Sequence, residues 1–129
     1  MPGYSIILDP QTHQPIPEHG ILTRPVFEDE SIRVVMFTFS AGQRLSEHTA
    51  STPAMLQFLG GEATVTLGPD QFNVGEGAWI RMDAGLAHSI VARSPLTLLL
   101  VLFKSQANGN PKKRTTGSAE TDATVPVPT

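Results

Sequence analysis

A chain of 129 residues, 40% hydrophobic, with a net charge of −3 and no cysteine, has the length of one domain and enough apolar side chains for a core. The missing cysteines exclude disulfides and cysteine zinc sites and fit a reducing, cytoplasmic setting. A mildly acidic body excludes nucleic acid as a partner, because phosphate binding needs a basic surface. The N-terminus lacks a basic segment followed by an apolar run, and the longest apolar run falls far short of the ~18 residues that cross a bilayer, so neither a signal peptide nor a membrane contact is expected.

In chain order, residues 1–29 read as an irregular N-terminal arm. Pro10, Pro15, Pro17 and Pro25 force extended backbone there, and Ile6, Leu8, Ile21 and Phe27 could add edge strands. From residue 30 the chain becomes a run of short strand signals. Ile32–Phe39 is rich in β-branched and aromatic residues. Residues 54–59 follow Pro53, and 62–67 lie between Gly60-Gly61 and Gly68-Pro69-Asp70. Short segments at 71–74, 78–82 and 88–93 each meet a glycine, and Leu96–Phe103 follows Ser94-Pro95. Strands of this length with turn signals every ~8–12 residues predict an all-β sandwich or barrel over 30–104. No stretch supports a long helix. Residues 105–129 contain no aromatic, Leu, Ile or Met, and read as a disordered tail.

Leu96–Phe103, LTLLLVLF, is apolar on both faces. Alternate side chains of a strand point to opposite sides, so one face lines a core and the other needs cover. The cover could be a second sheet or a second subunit, and partial cover by a second copy, a homodimer, is the expectation.

Two motifs in 42–88 carry a family resemblance. Gly42 is followed after five residues by His48, and that motif closes at Gly61. Gly77 leads to Gly85, and His88 follows after two residues. These glycines, histidines and spacings resemble the two motifs of the cupin superfamily, G-x5-H-x-H-x3-4-E-x6-G and G-x5-P-x-G-x2-H-x3-N. The resemblance implies a single antiparallel barrel of the jelly-roll, double-stranded β-helix kind, RmlC-like.

In cupins with an intact site, three histidines and a glutamate point inward and hold a divalent metal. His48 and His88 match the first and third histidines. The second histidine position is Ala50 and the glutamate position is Ala54, so the metal motif is degenerate. The proline and asparagine of the second motif are Asp83 and Ala92. A protein metal site takes three or four ligands. His13, His19, Glu47 and Gln57 are the side chains that could complete one, but Glu47 and Gln57 stand an odd step from the inward positions and face away.

The first reading is therefore a small-molecule-binding cupin with a mainly apolar pocket containing His48 and His88. The alternative is a metal-dependent enzyme, dioxygenase- or isomerase-like, in which His48 and His88 hold iron, zinc, manganese or nickel with ligands not identified. A metal-free variant would use a histidine as general base at neutral pH, and Asp83, otherwise a turn residue, is its best acidic partner. Trp79 reads as core or interface, Arg81 as surface or interface on the same face. Met36, Met55, Met82, Phe37, Phe39, Phe58 and Phe103 read as core.

Overall fold

A computed structural model describes residues 3–8 and 15–104. Among the described residues there are nine strands and no helix: β1 (Ile21–Glu28), β2 (Ile32–Phe39), β3 (Arg44–His48), β4 (Ala54–Gly60), β5 (Ala63–Leu67), β6 (Asp70–Val74), β7 (Trp79–Met82), β8 (His88–Ala92) and β9 (Leu96–Phe103). They form a five-stranded sheet in the order β1-β2-β9-β4-β7 and a four-stranded sheet in the order β3-β8-β5-β6. Every pairing is antiparallel.

The core lies between the sheets and follows from period-2 alternation. Ala54, Leu56 and Phe58 of β4 point inward, as do Leu96 and Leu98 of β9 and Ile90 and Ala92 of β8. Phe39 and Phe58 are wholly buried. A buried side chain of this size contributes about 1.5–3 kcal/mol over an exposed one.

The sheet takes in residues 21–28, inside the stretch whose prolines mark it as an irregular arm. β1 tolerates Pro25 because it is an edge strand, and its register with β2 shifts between Pro25 and Phe27. Residues 3–8 form no strand, and Ile6 and Leu8 are exposed. The tail at 105–129 lies outside the described residues.

Met36 is buried, yet not between the sheets. It pairs with Leu99 and alternates with the inward Phe37, so it belongs to the outer face of the five-stranded sheet. Thr38, also outward, is fully buried and donates its hydroxyl to the Pro15 carbonyl at 3.4 Å. The chain's own N-terminal segment therefore reaches the outer face of this sheet at Thr38 of β2.

One end of the barrel gathers the positions that matter for a site. β3 ends at His48 and β4 starts at Ala54; β7 ends at Met82 and β8 starts at His88. The two intervening loops are tied by the Gly85 N–H donating to the Ala50 carbonyl at 2.8 Å. The Gly68 N–H donates to the Ala87 carbonyl at 2.8 Å and brings the β5–β6 turn to the same end.

Candidate functional site

The site starts from an irregularity in β3. Leu45 pairs with Ile90, but His48 pairs with His88, so three steps on β3 oppose two on β8. In a regular strand residues 45 and 48 would face opposite ways. The surplus residue turns His48 onto the side of Leu45, which packs on the core. His88 needs no such device: it alternates with Ile90 and Ala92, both buried and inward.

The two imidazoles consequently stand side by side, with ring centroids 4.3 Å apart and planes inclined at 57°. His88 is 6% exposed and His48 is exposed, so the pair sits at the mouth of the barrel with one ring inside and one at the rim. Met82 and Ala54, paired in register on the other sheet, are buried at the same end.

Each ring is held by the same local bond. Nδ1 of His48 lies 2.8 Å from the Ser46 carbonyl oxygen, and Nδ1 of His88 lies 2.9 Å from that of Leu86. A carbonyl only accepts, so each Nδ1 carries the proton and donates. In the neutral rings both Nε2 atoms then keep a lone pair on the edge remote from the backbone. The result is two preset acceptors next to each other. None of this bonding has a signature in the spacing of the motifs.

The rest of the expected site is not assembled. Ala54 is buried in the core, and among the described residues no group of three His, Cys, Asp or Glu could hold a metal. Held imidazoles suit a metal, which is how ligating histidines are commonly oriented. Two of them fall short of the three protein ligands that a resident ion requires, so the described residues alone do not fit a metal centre.

Glu47 and His19 are exposed. Gln57 lies on β4 between the inward Leu56 and Phe58 and faces away from the core. His13 lies outside the described residues. Asp83 is exposed and accepts a 2.6 Å hydrogen bond from Arg81, which makes it a poor acidic partner for a histidine base. Trp79 is 55% exposed on β7 and is not core.

Comparison with known proteins agrees with this architecture. No family model matches the sequence, and no curated protein matches it. Among solved structures, a conserved protein of unknown function from Streptococcus pyogenes is similar at 27% identity, covering 80% of this chain and 90% of the other, with a TM-score of 0.71. A cupin superfamily protein from Desulfitobacterium hafniense is 17% identical over 71% of this chain and 84% of its own, with a TM-score of 0.68. An uncharacterised conserved protein with a double-stranded β-helix domain from Klebsiella pneumoniae is 17% identical over 78% of this chain and 90% of its own, again with a TM-score of 0.68.

Two facing antiparallel sheets closed around one apolar core define a double-stranded β-helix barrel. It is the fold of solved cupin structures.

Proposed function

We propose that this cupin binds a small molecule at the mouth of its barrel, with His48 and His88 as its polar contacts. The observation that carries the reading is the paired Nδ1–H to carbonyl bonds, which leave two Nε2 acceptors at one end of an apolar barrel. Apolar walls with a few convergent polar groups are the usual make-up of a ligand site. The matching ligand presents hydroxyl or amine donors to both rings. The reading includes a cytoplasmic protein that pairs with a second copy through the β4–β7 part of the outer sheet face, where Trp79 is exposed.

The test is a titration of the full chain with glycerol, ethylene glycol and glucose, followed through the histidine ring signals by NMR. Both rings should respond together to at least one probe, and His48→Ala or His88→Ala should abolish the response of the remaining ring. Metal analysis of protein purified without chelator should give far less than one ion per chain, and chelator should leave the melting temperature unchanged. No response to any probe would refute the reading. One tightly held ion per chain, lost in either variant, would replace it with a metal-dependent enzyme.

A further inference from the structure

The histidine pair belongs to a row that runs across the whole four-stranded sheet. His48 pairs with His88, His88 pairs with Leu67, and Leu67 pairs with Asp70. Cross-strand partners in an antiparallel sheet present their side chains on one face. Leu67 packs on the core, so that face is the inward one. At ~4.8 Å per strand, Asp70 stands roughly 10 Å from His88, with Leu67 between them. Asp70 opens the edge strand β6 and is exposed at the end of the barrel that holds the imidazoles.

The row therefore reads acceptor, acceptor, apolar, carboxylate, and no cation of the protein answers it. Asp70 makes no ion pair among the described residues. Arg44 pairs with Val91 and stands an odd step from the inward Leu45, on the opposite face of the sheet. Arg81 is bonded to Asp83 at 2.6 Å. The inward row at the same end of the other sheet, Leu102, Ala54 and Met82, is apolar.

We propose that the ligand of the histidine pair is an aliphatic diamine, an inference that rests on the reading above and names its ligand class. One ammonium has three donors, enough for both Nε2 atoms. The methylene chain crosses Leu67, and the second ammonium rests against the Asp70 carboxylate. A chain of about six carbons covers the two strand spacings. A polyol would leave hydroxyls unpartnered over Leu67, and an anion would meet Asp70 with like charge.

Titration of the full chain at constant pH with 1,6-diaminohexane, hexylamine and 1,6-hexanediol, followed through the histidine ring signals by NMR, tests this. Diaminohexane should move both rings and bind about three- to fivefold tighter than hexylamine, the scale of an exposed ion pair. Asp70→Asn should bring diaminohexane to the affinity of hexylamine and leave hexanediol unchanged. In 1,3-diaminopropane the second ammonium is too short to reach residue 70, so its affinity should not depend on Asp70. Equal affinity of diaminohexane for the parent and Asp70→Asn, or diamine binding that leaves the ring signals unmoved, would overturn the proposal. Rings that respond to the diol and to no amine would overturn it while the histidine site stands; rings that respond to nothing would remove both.

Discussion

Gly61 lies directly against the backbone at Pro95. A Cβ at residue 61 would fall on the Pro95 carbonyl oxygen and within 2.9 Å of Leu96 Cα, and Gly61 also has φ of +91°, in the left-handed region. Both neighbours are main chain and cannot swing aside. Gly61→Ala should therefore cost more than about 2 kcal/mol, since the left-handed conformation alone costs roughly 1–2 kcal/mol. Gly60→Ala, with open space and no positive φ, should cost well under half as much. Urea denaturation of the two variants measures the difference.

Acid should loosen the β1–β2 turn. The Ile32 and Ser31 N–H groups hold the Asp29 carboxyl below its ordinary value, and the Lys104 ammonium does the same for Glu28 through a 2.7 Å bond. A carboxyl with a lowered folded-state pKa adds stability above its unfolded value, near ~4, and that stability is lost as pH falls through the folded value. Asp29→Ala should melt lower than the parent at pH 7, and the gap should close below pH ~4. Thermal melts across that range report it, and a gap that persists at low pH would contradict the assignment.

Restoring the erased donors should create a metal centre. Ala50 and Ala54 occupy the missing histidine and glutamate positions, at the end of the barrel where His48 and His88 meet. The double variant Ala50→His, Ala54→Glu should take up about one zinc ion per chain where the parent takes up little. Without metal it should be less stable by about 1–3 kcal/mol, because Ala54 is 2% exposed and a carboxyl there is poorly solvated. Zinc should recover that loss. Elemental analysis with melts in and out of chelator decides it.

The outer sheet face tests the dimer. Trp79 projects from an edge strand and is 55% exposed. Light scattering of the parent at micromolar concentration should give twice the 13.9 kDa chain mass, and Trp79→Asp should reduce it to one chain. A parent that is already monomeric removes the dimer from the proposed function.

Most strands were legible because their alternation is strong. Ile32–Phe39 and Leu96–Phe103 coincide with β2 and β9. Arg44–His48 escaped because RLSEH is polar and its register shift breaks the alternation that reveals a strand. β1 was half visible: Ile21 and Phe27 signal it, while Pro25 argues against an interior strand and is admitted only at an edge. The histidine positions came from motif spacing. Their tautomers depend on carbonyls placed by the fold, and the bond from Thr38 to the Pro15 carbonyl depends on a long-range crossing; neither has a local sequence signal.

The surplus residue in β3 makes His48 a matter of counting. Removing one of the two residues before it would leave the imidazole two steps from Leu45, on the same face of a now regular strand and still opposite His88. A one-codon deletion there would thus keep the two rings together, while the hydrogen-bonded ladder beside them closes more regularly than before.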